Sequence, residues 1–246
     1  MRVDLNCDMG EGCGNDVALM GLISSANIAC GYHAGDADTM RQTVELALGQ
    51  GVAIGAHPGY RDRENFGRVE MCLPAKEVYD LVTTQISDLK EITLRCGGDL
   101  SHVKPHGALY NQAARDPELA AAIADAVANL DPELVLFGLS GSSYIDIAKK
   151  RGLRVASEVF ADRTYQEDAS LTPRSQQGAL IQDSNEASRQ VLQMIEKGKV
   201  TAVTGKPVPI RADTICIHGD GPHAVDFART INQILRNNGV QIGPIR

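Results

Sequence analysis

Seven short apolar, β-branched runs alternate with longer segments of helical period along the 246 residues, and this alternation is the strongest constraint on the fold. A strand followed each time by a helical pattern is typical of a parallel α/β sheet. The chain is long enough to form one α/β barrel. The seven predicted strands are Val3–Cys7, Ala26–Cys30, Val52–Ala56, His102–Lys104, Leu134–Leu139, Arg154–Phe160 and Thr214–His218.

Helical patterns separate these strands, and capping residues mark their ends. Asp38-Thr39 is a favourable N-cap pair that predicts the start of the first long helix, and Gly49 and Gly51 predict its end. Asp116-Pro117 predicts the start of another helix, with a capping residue followed by proline in the first turn. Further helices are predicted along the stripe from Val78 to Leu89 and at Ile145–Lys150, Ala187–Glu196 and Ala224–Arg236, and a hairpin at Val200–Ile210.

Polar motifs at nearly every predicted strand end favour one of two architectures for the seven βα units. An open, doubly wound sheet binds its ligand mainly at one switch point. A closed barrel collects groups from many strand ends around one mouth. We therefore predict a single domain over residues 1–246, built as a seven-unit βα barrel with a polar pocket at its mouth.

Composition and charge argue against several classes of function. The formal net charge is −7 and no block of Lys and Arg occurs, so nucleic acid is not an expected partner. No apolar run is long enough to span a bilayer, and the first residues enter a strand pattern without the layout of a signal peptide. We therefore expect a cytoplasmic protein without a membrane partner. The six cysteines form no Cys-x-x-Cys pair, so reduced, packing thiols are expected rather than a zinc-thiolate site.

The first predicted strand carries acids among apolar residues. Asp4, Asn6 and Asp8 alternate along it, so they share one side of the pleat and point into the same space. An inward-facing acid costs on the order of several kcal/mol unless it is paired, protonated or bound to a metal. Together with Glu11 just beyond, this segment is a candidate site, and a solvated loop with one capping aspartate is the alternative.

The six histidines fall in five short segments, and all but one lie at or just past the end of an apolar run. His33 and Asp36 follow the second strand, and His57 follows the third. With Asp8 or Glu11, His33 and His57 could form a His/His/carboxylate set of the kind that binds a divalent metal. The alternative is that each histidine is a buried hydrogen-bonding residue.

Ionisable residues also follow the later strands. Lys104 and His106 place a cation and a base within two residues of each other after the fourth strand. A lysine inside a barrel requires an anion, which could be a substrate group or an acid of the first strand, and a structural Lys–Asp pair is the alternative. The sixth and seventh strands are followed by Glu158, Asp162, Arg163, Tyr165, His218 and Asp220. Asp220 lies two residues from His218 and could orient its imidazole.

Absent motifs exclude other classes of enzyme. The sequence contains no Gly-x-x-x-x-Gly-Lys-Ser/Thr phosphate loop, and no Gly-x-Gly-x-x-Gly follows the first strand. No Gly-x-Ser-x-Gly elbow occurs either. Neither a phosphate-loop nucleotidase, a dinucleotide dehydrogenase nor a serine hydrolase of that type is therefore supported.

Taken together, these segments resemble the LamB/YcsF family. The resemblance covers nearly the whole chain in family order. It rests on segments 3–11 (VDLNCDMGE), 25–36 (SANIACGYHAGD), 55–60 (GAHPGY), 102–110 (HVKPHGALY), 158–163 (EVFADR) and 218–220 (HGD).

The resemblance implies a distorted βα barrel of the α/β class, similar to the glycoside hydrolase/deacetylase superfamily. It also implies one component of an ATP-dependent 5-oxoprolinase, which opens 5-oxo-L-proline to L-glutamate together with two further subunits. Because the chain has no phosphate loop, we expect ATP to be bound with or by those partner subunits. A divalent metal and a homo-oligomer are further expectations.

Within this interpretation, each ionisable residue receives a hypothetical role. Lys104 would hold the substrate carboxylate or the developing oxyanion, and His57 and His106 would transfer protons. Asp8 and Glu11 complete the predicted catalytic set. The predicted substrate-binding residues are Asn6, Asn27, His33, Asp36, Glu158, Arg163, His218 and Asp220, and the predicted metal ligands are Asp8, His33 and His57.

Two other functions remain open from the sequence. A metal-dependent amide or carbohydrate deacetylase that acts alone would also use a mouth of acids and histidines, because these groups suit metal-activated water. A noncatalytic scaffold that binds the lactam or the partner subunits is the second alternative. Substitution of the strand-end residues distinguishes a scaffold from an enzyme. If the chain is a scaffold, the turnover of the assembly would be unchanged by these substitutions.

Overall fold

The computed structural model describes residues 1–219, 221 and 223–245, and its strands form one large parallel sheet and one small hairpin. The strands are β1 (Arg2–Met9), β2 (Ser25–Ala29), β3 (Ala53–His57), β4 (Leu100–Val103), β5 (Val135–Leu139), β6 (Arg154–Phe160), β7 (Lys199–Thr201), β8 (Pro207–Pro209), β9 (Thr214–Ile217) and β10 (Gln241–Ile242). Strands β1 to β6 and β9 pair in parallel in that order, and β9 pairs back onto β1. The sheet is therefore a closed seven-stranded barrel.

Helices cover the outside of the barrel. They are α1 (Asp16–Met20), α2 (Ala37–Gln50), α3 (Ala75–Arg95), α4 (Gly107–Ala113), α5 (Pro117–Leu130), α6 (Ser143–Lys150), α7 (Ser184–Lys197) and α8 (Ala224–Asn237). Each long helix turns an apolar stripe inward, as in α3, where Val82, Ile86 and Leu89 are fully buried. The helices and the barrel thus share a continuous apolar core.

The predicted architecture is confirmed. The closed barrel, rather than an open sheet, is present, and β6 has the predicted bounds of Arg154–Phe160. The hairpin predicted between Val200 and Ile210 is formed by β7 and β8, which pair antiparallel. Asp116 caps α5 as predicted, since its carboxylate accepts from the amides of Glu118 and Leu119.

The predicted start of α2 is wrong by two residues. The helix begins at Ala37, and its N-cap is Asp36 rather than the predicted Asp38-Thr39 pair. The Asp36 carboxylate accepts from the Thr39 amide at 2.8 Å, which leaves Asp38 inside the first turn. Asp36 is held in extended backbone before the helix, which is the conformation that an N-cap requires.

The inside of the barrel is polar. Asn6 and Asp8 of β1 face inward, and the alternate residues Leu5 and Cys7 pack in the apolar core. Asp4 lies deeper, where it accepts hydrogen bonds from the hydroxyls of Ser24, Ser25 and Thr214 at 2.6 to 2.7 Å. Burial raises the pKa of Asp4, although these three donors oppose the rise. The predicted shared side of the pleat is therefore observed.

A long loop joins β6 to α7 and folds over one side of the barrel mouth. Arg163 ties this loop down, because its guanidinium donates to the carbonyl oxygens of Thr172 at 2.5 Å and Ala179 at 3.3 Å. Gln190 of α7 donates to the carbonyl oxygen of Arg163 at 2.9 Å. The loop is thus fixed to the barrel by buried side chains.

Among the described residues, no helix combines the length and the apolar character needed to cross a membrane.

Candidate active site

A cleft of about 970 Å³ opens at the carboxyl ends of the barrel strands. It is lined by Asp8 from β1, His57 from β3, and Lys104 and His106 from the segment after β4. The β6–α7 loop and the turn at 140–143 line its other sides. A cavity of this size accommodates a small-molecule ligand.

Glu11 and three imidazoles form a compact cluster at this cleft. Glu11 Oε1 lies 3.1 Å from His33 Nε2, 3.3 Å from His106 Nδ1 and 3.9 Å from His57 Nε2. The rings of His33 and His106 stack with their centroids 3.8 Å apart. One nitrogen or oxygen from each of the four residues lies within 4.8 Å of the other three. Residues at or just beyond the carboxyl ends of four different strands therefore converge on one point.

Glycines make this convergence sterically feasible. Gly10 and Gly12 flank Glu11 with φ values of 70° and 80°, a backbone conformation that a side chain would oppose. A Cβ atom on Gly59 would lie 2.7 Å from His33 Nδ1, and one on Gly67 would lie 2.8 Å from His33 Cβ. The close approach of Glu11 and His33 thus depends on residues without side chains.

Backbone carbonyls fix the orientation of two of the rings. His57 Nδ1 lies 2.6 Å from the carbonyl oxygen of Lys104, and His106 Nε2 lies 2.8 Å from that of Phe66, so each of these nitrogens donates its N–H there. The opposite nitrogens, His57 Nε2 and His106 Nδ1, face each other at 2.9 Å. If both rings were neutral, two lone pairs would meet. The contact therefore requires a proton or a cation between the rings.

The pKa shifts in the cluster separate one protonated imidazole from two neutral ones. Burial lowers the pKa of His33 to about 2 and also lowers that of His106 well below its usual value. Burial opposes the charge on His57 too, but the Asp8 carboxylate outweighs it and raises the pKa of His57. Burial, followed by the negative charge of Asp8, raises the pKa of Glu11 to about 7. His57 is therefore the imidazole that holds the proton between the rings.

The same donor set fits a divalent metal. An imidazole whose other N–H donates to a backbone carbonyl is the usual arrangement of a metal-bound histidine, and His57 and His106 both have it. Three nitrogens and one carboxylate suit Zn²⁺ and related ions. His33 fits less well, because its Nδ1 is buried without a partner among the described residues. The residues that would hold a metal are Glu11, His33, His57 and His106.

Lys104 lies at the centre of a buried ionic network. Its Nζ is 3.0 Å from Asp8 Oδ1, 3.0 Å from Glu158 Oε1, 3.2 Å from Asn6 Oδ1 and 3.1 Å from Cys216 Sγ. An ammonium group has three protons, so these four contacts use all of its donors. Burial disfavours the charge, but Asp8, Cys216 and Glu158 together hold the pKa of Lys104 well above its usual value.

This network keeps Asp8 ionised. Burial alone would raise the pKa of Asp8, but His57 and Lys104 outweigh it and hold that pKa well below the usual range. Asp8, Cys216 and His218 form a second group whose potential ligand atoms lie within 4.8 Å of one another. Since the Lys104 ammonium already contacts Asp8 and Cys216, this second group has its own cation.

His218 forms a carboxylate–imidazole pair with Asp162. The ring Nδ1 lies 2.7 Å from Asp162 Oδ2 and 2.9 Å from Oδ1. Burial opposes the charge on Asp162, but His218 outweighs it and lowers the pKa of Asp162. The pairing orients the ring and leaves Nε2 available for proton transfer.

Comparison with known proteins decides the family. The sequence matches the LamB/YcsF family over residues 3–246. This chain belongs to the LamB/YcsF family. The A subunit of the 5-oxoprolinase of Erwinia tasmaniensis is 54% identical over 242 residues, which cover 98% of this chain and 99% of that protein.

Solved structures agree with this membership of the LamB/YcsF family. The crystal structure of a lactam utilization protein from Thermus thermophilus superposes with a TM-score of 0.93 at 46% identity, covering 100% of both chains. A polysaccharide deacetylase from Bacillus cereus superposes with a TM-score of 0.53 at 12% identity, covering 100% of this chain and 92% of the other. The second likeness concerns the fold alone, and it agrees with the predicted relation to deacetylase barrels.

The structure brings most of the predicted residues of this LamB/YcsF chain together. Those that lie in the cluster or its network are Asn6, Asp8, Glu11, Asn27, His33, His57, Lys104, His106, Glu158 and His218. Asp36 instead caps α2. Arg163 lines the cleft, but its guanidinium donates to carbonyl oxygens of the β6–α7 loop. Asp220 lies outside the described residues. Of the three predicted metal ligands, His33 and His57 are in the cluster, where Glu11 and His106 stand in place of Asp8.

Two residues of the network were not assigned a role from the sequence. Asp162 contacts His218, because the neighbouring strands β6 and β9 end side by side. His102 donates to Asn27 Oδ1 inside the barrel. The position of His102 within a short apolar strand was the signal that could have indicated an inward-facing role.

Proposed function

We propose that this chain is the A subunit of an ATP-dependent 5-oxoprolinase, which opens 5-oxo-L-proline to L-glutamate. The observation that carries the proposal is the 54% identity, over nearly the full length of both chains, with a protein that bears this name. The likeness to a lactam utilization protein at 46% identity supports the same substrate class. The cleft supplies the acid, base and imidazole groups that such a reaction needs.

Opening the ring requires help at three atoms. Water must add to the ring carbonyl carbon, negative charge must be stabilised on the carbonyl oxygen, and the ring nitrogen must gain a proton when the C–N bond breaks. The nitrogen then becomes the amino group of glutamate, and the carbonyl carbon becomes its side-chain carboxylate. A five-membered lactam is an unstrained amide, so transfer of a phosphoryl group from ATP to the carbonyl oxygen, with release of ADP, would supply the missing activation. Addition of water and cleavage of the C–N bond would then leave an acyl phosphate, and its hydrolysis by a second water would release inorganic phosphate and the side-chain carboxylate.

The Glu11 cluster is suited to activating the water. A carboxyl group with a pKa of about 7 accepts a proton readily near neutral pH, and His57 and His106 lie within 3.9 Å of its Oε1. A divalent metal bound by Glu11, His33, His57 and His106 would lower the pKa of a bound water and polarise a carbonyl oxygen. In the absence of a metal, the proposal gives His57 and His106 the proton-transfer role predicted from the sequence.

His218 is suited to protonating the ring nitrogen. Asp162 fixes its Nδ1 and so directs Nε2 away from that carboxylate. A ring nitrogen of His218 lies within 4.8 Å of an Asp8 carboxylate oxygen, and Asp8 lines the cleft. The pair is a general acid held in one orientation.

In the proposal Lys104 has a different role from the one predicted from the sequence. Its ammonium group is fully engaged with Asp8, Glu158, Asn6 and Cys216, so no proton is left for a substrate carboxylate. Its function in the proposal is to keep Asp8 ionised and in place beside His57.

ATP and the partner subunits complete the proposed enzyme. The sequence has no phosphate loop, so the nucleotide would be held with or by two further subunits, in the cytoplasm. The test is to combine the purified chain with these subunits and measure L-glutamate and ADP formed from 5-oxo-L-proline and ATP. We expect His57→Ala and His106→Ala to lower turnover by at least about tenfold. Wild-type turnover in both assemblies, one with each variant, would refute the proposed site.

A metal-dependent amide or carbohydrate deacetylase that acts alone is the second candidate. The observation in its favour is the cluster of one carboxylate and three imidazoles. This function requires a divalent ion but neither ATP nor partners. Hydrolysis of an acetylated sugar by the isolated chain, abolished by a chelator, would select it over the first proposal.

A further inference from the structure

Four inward-facing positions form one row across the first four strands of the barrel. The backbone pairing places Asp8 of β1 beside Asn27 of β2, Asn27 beside Gly55 of β3, and Gly55 beside His102 of β4. Three of these residues carry polar side chains and one carries none. The row therefore has a gap at Gly55, between Asn27 and His102.

The imidazole of His102 fills this gap. A Cβ atom on Gly55 would lie 2.1 Å from His102 Nε2, so the ring occupies the space that a side chain on β3 would take. Crossing β3 in this way, His102 Nε2 reaches 2.9 Å from Asn27 Oδ1. The ring of Phe137 stacks on that of His102, with the two centroids 4.4 Å apart.

This contact determines which way the amide of Asn27 faces. Its Nδ2 donates to Asp8 Oδ1 at 2.9 Å and to Asn6 Oδ1 at 2.8 Å. If the amide turned over, its oxygen would face the Asp8 carboxylate and its NH₂ would face the donor of His102. The His102 N–H opposes that rotation, because it needs an acceptor in a buried position.

Asn27 in turn holds the oxygen of Asp8 that does not face the imidazole cluster. Asp8 Oδ1 accepts hydrogen bonds from the Asn27 amide and the Lys104 ammonium group. The other oxygen, Oδ2, lies 3.3 Å from His57 Nε2. We propose that His102 is a positioning residue for the proposed reaction, since its Nε2–H locks the Asn27 amide and thereby fixes the Asp8 carboxylate against His57. The inference rests on the proposed function for its kinetic consequence only.

His102 is well suited to this purpose because its ring is neutral. Burial, followed by the charges of Lys104 and His57, lowers the pKa of His102 to about 3. A neutral ring has one N–H, and the contact with Asn27 Oδ1 assigns it to Nε2.

Two substitutions separate positioning from packing. His102→Gln keeps a donor at the place of Nε2 but loses the stacked ring, whereas His102→Phe keeps the ring against Phe137 and loses the donor. Both variants are measured in the assembly with its partner subunits. We expect His102→Phe to lower kcat by about tenfold or more and to leave KM within about twofold. Losses of this size are typical when a residue that orients a functional side chain is substituted. His102→Gln should keep kcat within about threefold of wild type, because the donor remains. We expect His102→Gln to unfold at a lower temperature than His102→Phe, because it loses the ring that stacks on Phe137.

The opposite ranking would overturn the inference. If kcat follows the thermal stability, so that His102→Phe is the more active variant, then the ring only packs. Phe137→Leu is the matched control, because it removes the stacking partner and keeps the donor, and it should retain the wild-type kcat. In an Asn27→Ala background, His102→Phe should cause no further loss, since the two residues act through one contact.

A measurement on the wild-type chain tests the proposal without any turnover. Nitrogen-15 NMR of histidine-labelled protein should show the Nε2-protonated neutral tautomer for His102. Because this experiment uses the wild-type chain, its result decides the question even if His102→Phe does not fold. An Nδ1-protonated or charged ring would overturn the inference. An absence of 5-oxoproline turnover in the wild-type assembly would refute the proposed function alone.

Discussion

His57 Nε2 lies 2.9 Å from His106 Nδ1, and each of these rings donates its other N–H to a backbone carbonyl. Two ring nitrogens that face each other at this distance cannot both present lone pairs. Either a proton bound to His57 or a metal ion bound to both nitrogens satisfies the contact. The structure therefore couples proton binding to metal binding at this point.

Metal affinity should increase with pH through the neutral range. Binding displaces the proton of His57, whose pKa is raised by Asp8, and requires ionised Glu11, whose pKa is about 7. Protons therefore compete more strongly as the pH falls. Titration calorimetry with Zn²⁺ in buffers of different ionisation enthalpy should detect proton release. His106→Ala should weaken binding at every pH, and a pH-independent affinity would contradict the assignment.

Lys104→Met should strongly destabilise the fold. The substitution leaves the buried carboxylates of Asp8 and Glu158 without their cation, which typically costs about 3–5 kcal/mol. Urea unfolding measures the loss. Lys76→Met is the control, since the Lys76–Asp80 pair lies on the surface and its removal should leave the unfolding midpoint unchanged. Equal effects of the two substitutions would show that Lys104 is not the central cation of the network.

Asp162→Asn should lower kcat with little effect on KM. The amide cannot hold the His218 imidazole as the carboxylate does, so the proposed general acid loses its orientation and its electrostatic support. We expect a loss of at least about tenfold in kcat, measured from initial rates over a range of 5-oxo-L-proline concentrations. Asp131→Asn, which weakens the pair with Lys90 far from the cleft, serves as the control. Unchanged kcat in Asp162→Asn would exclude His218 as the acid.

Gly55→Ala should disturb the barrel at His102. The added Cβ would overlap the ring at 2.1 Å from Nε2, and the ring is confined by Phe137. Overpacking of this kind costs about 1–3 kcal/mol in a buried position. Gly49→Ala is the matched control, because Gly49 lies exposed near the end of α2 and no described residue has an atom within 4 Å of the added carbon, apart from its own neighbours in the chain and helix. Thermal unfolding should show a loss for the first variant and no loss for the second.

Asp36→Ala should lower the melting temperature and leave kcat unchanged. The carboxylate accepts from the Thr39 amide at the start of α2, so its removal leaves that amide without a capping acceptor. Asp36→Asn should restore much of the loss, because asparagine also caps helices. A fall in kcat with an unchanged melting temperature would return Asp36 to the substrate-binding set.

The strands and most helices could be predicted because their signals are local. The β-branched runs of β6 and β9 and the capping pair Asp116-Pro117 are visible within a few residues. The start of α2 was misplaced because Asp36 and Asp38 are both good capping residues, and the backbone conformation decides between them. The short helices α1 and α4 lie in segments without a clear helical period.

The convergence of the site was predictable, but its pairings were not. That His33, His57, Lys104 and His106 meet follows from their positions at strand ends of one barrel. Which acid meets which imidazole depends on the loops. Gly10 and Gly12 turn Glu11 into the cluster, and the adjacency of β6 and β9 brings Asp162 to His218 across 56 positions of sequence.

The position of the Lys104 ammonium between Asp8 and Cys216 has a consequence for how a metal ion could be added to the cleft and removed from it. The Lys104 ammonium group is part of the chain, so a chelator cannot remove it. Part of the positive charge at the mouth would therefore remain after a bound metal ion is removed. We expect a stoichiometry of one ion per chain, and an apo form that keeps its shape and accepts metal again without refolding.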